Sequence, residues 1–313
     1  MKLLGIALLV SGLLAVPTAA QDVGSVTLLE APLRIIRGAA LYQAGEGVRL
    51  KLGDIVETGD GGFAQLEFAG GGIVALGPAS RVYILRHVAG KKSGGDGAGT
   101  ELVLLSGWLK GQSNVDAGAY RYESPLLAAS TGNGNLVFHS GGGECDVYVE
   151  SGAAMLADVS PDGNLGKPAA GKAGQFFSRR AGKGLASDSR LSATFVKEMP
   201  QAFKDALPSR MAHFSGKPAE PKAQHAVSYA EIQAWLTMPR AWRRGFVARF
   251  ETRLKDPEFR KQLEAHEAEY PEWGPALHPE NANPETPHTG KLSPASALPA
   301  AADSESVHPR VGL

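Results

Sequence analysis

The sequence predicts a mainly β protein with a small C-terminal α-helical region and a disordered tail. Three observations carry this. Between residues 21 and 187, apolar residues alternate with polar ones in short runs, the pattern of half-buried strands. Glycine clusters separate those runs and supply the backbone freedom that tight turns need. Near Leu191 the pattern changes, and apolar residues recur at helical spacing.

Residues 1–20 read as an export leader. Lys2 gives a short positive start, residues 3–16 are apolar apart from Gly5, Ser11 and Gly12, and Pro17-Thr18-Ala19-Ala20 offers small residues for a signal peptidase. A mature N-terminus at Gln21 and a periplasmic location are therefore expected. The alternative, an uncleaved anchor, needs ~20 apolar residues, more than this run holds. No transmembrane segment is expected after cleavage. Mass spectrometry of the mature chain checks this: an N-terminus near Gln21 is expected, and Met1 retained in membrane-embedded material overturns it.

The residues 21–188 read as one β domain. In Phe63-Ala64-Gln65-Leu66-Glu67-Phe68, Ala64, Leu66 and Phe68 share a face, so Gln65 and Glu67 are expected in solvent. Arg81-Val82-Tyr83-Ile84-Leu85 and Cys145-Asp146-Val147-Tyr148-Val149 repeat the scheme. Gly59-Asp60-Gly61-Gly62, Gly70-Gly71-Gly72 and Gly141-Gly142-Gly143 mark turns. The Ser106-Gly107 and Ser151-Gly152 segments echo each other at a 45-residue offset. Stacked solenoid coils would produce this, and so would two unrelated hairpins.

Residues 189–227 read as a short helix and linker, and residues 228–274 as a helical region. Ser228 and Glu231 form a capping box, Trp242, Phe246 and Phe250 make one stripe, and Asp256-Pro257 opens a helix carrying Phe259 and Leu263. Residues 275–313, rich in Pro, Ala, Ser and His without a period, read as the disordered tail.

The function classes narrow by exclusion. Lys plus Arg and Asp plus Glu both number 32, so no global field favours nucleic acid. No His-Glu-x-x-His, Gly-x-Ser-x-Gly, Walker loop or Cys-x-x-Cys is present, and no enzyme activity, cofactor or metal is expected. Cys145, the single cysteine, reads as a buried strand residue, with a free reactive thiol or an intermolecular bridge as alternatives. Glu144 and Asp146 beside it offer two carboxylates to a cation, or a solvated strand face. Arg240, Arg243 and Arg244 are the candidate binding residues, able to meet an anionic envelope polymer or to form a solvated helix face. Trp235, Trp242, Phe246, Phe250, Phe259 and Trp273 suit sugar stacking or, at this spacing, a small bundle core or docking on the β domain.

Residues 47–83 carry a longer string: Gly47-x-x-Leu50-x-x-Gly53-Asp54-x-Val56-x-Thr58-Gly59, then Ala64-x-Leu66-x-Phe68, then Val74-x-Leu76-x-Pro78-x-Ser80-x-Val82. This string resembles the FecR family of periplasmic domains, with looser similarity through Ser106-Gly107-Trp108, Ser151-Gly152 and Ala173-Gly174-Gln175-Phe176. The resemblance implies a β-rich, solenoid-like or sandwich-like domain. Gly70-Gly71-Gly72 and Ser130-Thr131-Gly132 stand where the family usually has Asp-Gly and an Arg-Gly-Thr turn. The best-known members act on iron-siderophore transport through an inner-membrane helix and a cytoplasmic anti-sigma segment, neither of which is legible in this chain. The expectation is therefore a non-catalytic periplasmic binding or scaffold protein, with an envelope protein or anionic envelope polymer as partner. The alternative is a FecR-like sensor or regulator acting with a separate membrane-spanning signalling partner.

Overall fold

The computed structural model describes residues 21–89, 99–114, 116–216 and 218–279; the expected leader, and the expected disorder from residue 280 onward, lie outside them. The alternating runs become β1 (Asp22–Leu29), β2 (Leu33–Arg37), β3 (Ala40–Ala44), β4 (Arg49–Lys51), β5 (Ile55–Glu57) and β6 (Ala64–Phe68). They continue as β7 (Ile73–Leu76), β8 (Arg81–Val88), β9 (Gly99–Ser113), β10 (Ala119–Glu123), β11 (Leu127–Thr131) and β12 (Gly134–Gly141). Then follow β13 (Glu144–Asp158), β14 (Ala169–Lys172), β15 (Phe176–Arg180), β16 (Ala186–Asp188) and β17 (Lys222–Ala226). The helices are α1 (Ala193–Glu198), α2 (Tyr229–Leu236), α3 (Arg240–Arg243), α4 (Phe246–Phe250), α5 (Pro257–Ala265) and α6 (Gly274–Leu277).

Two sheets face each other. The first runs β4-β1-β6-β7-β9-β12-β13-β15-β16. The second runs β17-β3-β2-β5-β8-β9-β10-β11-β13-β14. Among the described strands only β9 and β10 pair in parallel. This pairing makes a sandwich rather than the parallel stacked coils of a solenoid.

The strands β9 and β13 each belong to both sheets, and the Ser-Gly echo marks where they change sheet. Residues 99–106 of β9 pair with β8 in the second sheet, and residues 107–113 with β12 in the first. Residues 144–152 of β13 pair in the first sheet and 153–158 in the second. Gly107 and Gly152 make these corners at φ 91° and 72°, where side chains are strained. A Cβ on Gly107 would stand 2.4 Å from the Ser80 Cα, so the corner also needs the space.

The main core lies between the sheets, built by Val26, Leu66, Phe68, Leu76, Phe138 and Val147 from one side and Leu33, Val56, Ile84, Leu104 and Leu156 from the other. Tyr120 and Tyr122 stack across it with ring centroids 6.0 Å apart. Their hydroxyl ends reach glycines: a Cβ would fall 1.9 Å from the Tyr120 hydroxyl at Gly72 and 2.1 Å from that of Tyr122 at Gly111. Gly111→Ala should cost about 1–3 kcal/mol through overpacking, read as a lower urea midpoint.

Both outer faces are covered as well, which corrects part of the strand reading. Leu66 and Phe68 face the core as alternation requires, but Gln65 and Glu67 are 1% and 4% exposed. The alternation is sound; the face it assigned to solvent is roofed by the segment read as a linker. Over the first sheet, Phe195, Phe203 and Leu207 pack on Phe63, Ile73, Ala75, Trp108, Val137 and Phe176. Gln65 Nε2 then donates to the Pro208 carbonyl at 2.9 Å, replacing the water it was expected to meet. Leu66→Ala should cost about 2–5 kcal/mol.

Over the second sheet lie α2 to α6. Ile36, Leu41, Ile55, Val103, Ala128 and Ala157 of the sheet share a cluster with Ile232, Trp235, Trp242, Phe246, Phe250, Phe259, Leu263 and Trp273. The aromatic set is therefore core of the helical layer, docked on the sandwich, and offers no stacking platform for sugars. Ser228 and Asp256 cap their helices as the sequence predicts. The Trp242-Phe246-Phe250 stripe is buried, although its helix breaks at Gly245 into α3 and α4. A second correction concerns residues 275–277, read as tail, which complete α6 and bury Leu277 in this layer.

Candidate functional site

At one end of the first sheet, β1, β4 and β6 meet the covering segment and leave a half-open cleft of about 600 Å³. Gly24 and Ser25 of β1 and the turn residues 69–71 form one wall, and Ser209, Met211 and Pro218 the other. The turn residues Gly70 and Gly71 take φ of 96° and 108°, which lets the chain reverse between β6 and β7.

Two charged residues hold the covering segment in place. The segment makes a short 3-10 turn over Met211–Phe214. Glu67 stands at its start, accepting from the Ser209 hydroxyl at 2.6 Å and the Arg210 backbone N–H at 2.7 Å. Arg49 stands at its end, donating to the Phe214 carbonyl at 2.7 Å and to the Ser25 hydroxyl at 2.5 Å. A carboxylate where N–H groups are unpaired and a guanidinium where carbonyls are unpaired is the electrostatically favourable order. Burial alone would raise the Glu67 carboxyl, but the hydrogen bonds from Ser209, Arg210 and Gln65 hold it below the usual carboxylate range.

That direction sets a pH dependence. A folded carboxyl depressed below its unfolded value stabilises above the ordinary carboxylate range, and the contribution is lost as pH falls through the folded value. Residues 208–218 should become protease-sensitive in acid before the strands do, and Glu67→Ala should show that sensitivity already at pH 7.

The Ser25 and Ser209 hydroxyls of the cleft are engaged by Arg49 and Glu67, and no His, Cys or Lys is among the described residues lining it. No nucleophile–base pair is formed there.

The structure does not gather Arg240, Arg243 and Arg244 into one solvated face. Arg240 and Arg244 are exposed, but Arg243 turns inward, donating to the Met238 carbonyl at 2.7 Å and pairing with Glu272. Its guanidinium lies 5.6 Å from the Tyr270 ring centroid. The reason is the docking of α3, which turns Arg243 toward Met238 and Glu272 inside the helical layer while Arg240 and Arg244 stay at the surface. Arg249 is likewise internal, donating to the carbonyls of Ile36, Gly38 and Gly53 at 2.7–2.9 Å. None of the three predicted residues lines the cleft.

Cys145 is buried, and burial pushes its thiol up to about 12, against a hydrogen bond from Ser124 at 3.3 Å. Such a thiol is a packing group rather than a nucleophile at neutral pH. Glu144 and Asp146 lie near His139, with one ligand atom from each within 4.8 Å of the others. Arg180 already pairs with both carboxylates, at 2.8 and 2.9 Å, so their charge is met from within the chain.

The polar residues of the FecR-like string knit the sandwich. Asp54 accepts from two guanidinium nitrogens of Arg37 at 2.9 and 2.7 Å and from the Lys51 N–H at 2.8 Å. Thr58 and Ser80 donate to the Gly77 carbonyl at 2.6 and 2.9 Å, and Ser80 also accepts from the Trp108 N–H at 2.9 Å. Between them Ala79 takes φ of 50°, the only positive value for a non-glycine among the described residues. The string thus marks a structural corner, and nothing in it signalled the cleft. Arg49 and Glu67, which do build the cleft, read in sequence as ordinary polar strand positions.

No family model matches the chain, and no curated protein matches it. Two solved structures of a candidate anti-sigma factor from Parabacteroides distasonis resemble it distantly, at 9% and 10% identity with TM-scores of 0.35 and 0.34. Each match covers 46% of this chain and 62% of the other, less than two thirds of that protein's length. Likeness at this level assigns neither fold nor function.

Proposed function

We propose that this chain is a non-catalytic binding or scaffold module of the cell envelope, and that the cleft beneath Ser209, Met211 and Pro218 receives a segment of a protein partner. The cleft carries the reading: it is large enough for a few side chains, and Arg49 and Glu67, two of its three charged residues, are spent on holding its walls. A protein segment suits it better than an anionic polymer, because Arg49 is already engaged and the aromatic residues are buried elsewhere. Export follows from the leader pattern of residues 1–20.

Ala69 is exposed and lines the cleft, so Ala69→Trp fills it without entering the core. Intact protein and the Ala69→Trp variant are passed against envelope extract at equal folded concentration. Loss of a co-eluting protein in the variant, with an unchanged urea midpoint, is expected. Identical co-eluting sets overturn the cleft as the site.

The second reading, a FecR-like regulator working with a separate membrane-spanning partner, is favoured by the string of residues 47–83. If the protein lost from the Ala69→Trp variant spans the membrane, the regulator reading gains; if it is soluble or wall-bound, the scaffold reading gains.

A further inference from the structure

Glu123 is placed where a carboxyl group is hard to accommodate. It is the last residue of β10, on the face of the second sheet that the helical layer covers. In register across five strands it forms a row with Tyr83, Val103, Ala128 and Ala157. Val103, Ala128 and Ala157 belong to the apolar cluster beneath α2 to α6, and the half-buried Tyr83 packs against it. Glu123 is 6% exposed. From the layer above, Trp242 of α3 comes near enough to its carboxyl to lower it.

The charges around it lower its carboxyl, but by less than its burial raises it. Arg121, two residues earlier on β10, lies 3.6 Å from the Glu123 carboxylate, longer than a tight ion pair. Arg121 also stands in register with Glu101 of β9, which pairs with Arg86 of β8 at 3.4 Å. Two acids and two arginines thus share one strip of sheet. On α3, Arg240 and Arg243 are turned to Glu272, and on α2, Glu231 is held by Arg34 and His225. With these charges spoken for, burial dominates. It pushes the Glu123 carboxyl up to about 7, with Arg121 lowering it, Glu101 raising it and Trp242 lowering it.

We propose that Glu123 is a proton-controlled latch between the sandwich and the helical layer, which docks tightly when this carboxyl is protonated and loosens when it ionises. The latch sits on the face opposite the cleft and stands independently of what the cleft binds. The sign follows from linkage. The folded value lies above the unfolded one of 4.5, so the stabilisation is complete in acid and is lost as pH rises through about 7. Glu67, His87 and His139, whose folded values are lowered, act in the opposite direction. A neutral replacement at Glu123 separates its effect from theirs.

The test is amide hydrogen exchange on the full chain between pH 5 and pH 8, corrected for intrinsic rates, for the wild type and Glu123→Gln. In the wild type, protection of α2 to α4 relative to Glu123→Gln is expected to fall by on the order of a hundredfold over this range. Protection of β12 and β13 should follow the same course in both proteins. An equal pH course of α2 to α4 in both overturns the latch, as does a loss shared equally by β12 and β13. A second measurement needs no variant: carboxyl NMR titration of the wild type should show Glu123 titrating near pH 7. Titration in the ordinary carboxylate range overturns the proposal.

Discussion

Trp235→Ala should lower the unfolding free energy by about 3–5 kcal/mol, one of the two largest effects expected of a single substitution here. Trp235 is fully buried in the helical layer and meets Tyr83 of β8 edge-on, with ring centroids 6.4 Å apart. Its indole N–H also donates to Glu57 at 3.2 Å. The substitution therefore opens a cavity and leaves a buried carboxylate short of a donor. Trp235→Phe keeps most of the ring packing and loses only the donor, so it should cost about 1–3 kcal/mol. Urea unfolding followed by circular dichroism measures both. A near-neutral Trp235→Ala would mean that α2 does not dock as described.

Lys110→Met should cost about 3 kcal/mol, because the lysine joins the first sheet to the segment that roofs it. Its side chain is 0% exposed, and Nζ donates to the Phe203 carbonyl at 2.7 Å and the Asp205 carbonyl at 2.9 Å and pairs with Glu150 at 2.9 Å. Removing one partner of such a pair leaves the others unmet, typically about 3–5 kcal/mol. Glu150 is partly exposed and can turn to water, which places the value at the lower end. Methionine keeps the length of the stem, so the loss reports the ammonium group rather than a cavity. Residues 199–208 should then be cleaved by protease faster than β12 and β13, and equal rates would mean that the lysine does not pin this segment.

The two substitutions probe different layers, and the contrast shows where sequence reasoning stops. A period of two over residues 63–68 was enough to place Leu66 and Phe68 inside. It said nothing of a second cover above Gln65 and Glu67, because both are polar and satisfied by hydrogen bonds that come from residues 208–210. Lys110 is the clearest instance. In Trp108-Leu109-Lys110 it reads as the solvent-facing member of an alternating strand, and its partners lie 93 and 95 residues away. Arg243 behaves alike: helical spacing puts it on one face with Arg240 and Arg244, and only the docking of α3 turns it inward.

By itself, the sequence determined the mainly β class, the turn positions, the capped starts of α2 and α5 and the apolar sides of strands and helices. These depend on neighbours in the chain: alternation, glycine's access to positive φ and side chains that bond to nearby backbone. Only the tertiary structure decided that the strands form a sandwich, that Gly107 and Gly152 are its corners and that both outer faces are roofed. It alone brought Arg49, Glu67, Ser209, Met211 and Pro218 together as a cleft, and set Glu123 near Trp242. Such arrangements rest on pairings between residues far apart in the chain, and a polar side chain carries no mark of whether water or a distant backbone group will satisfy it.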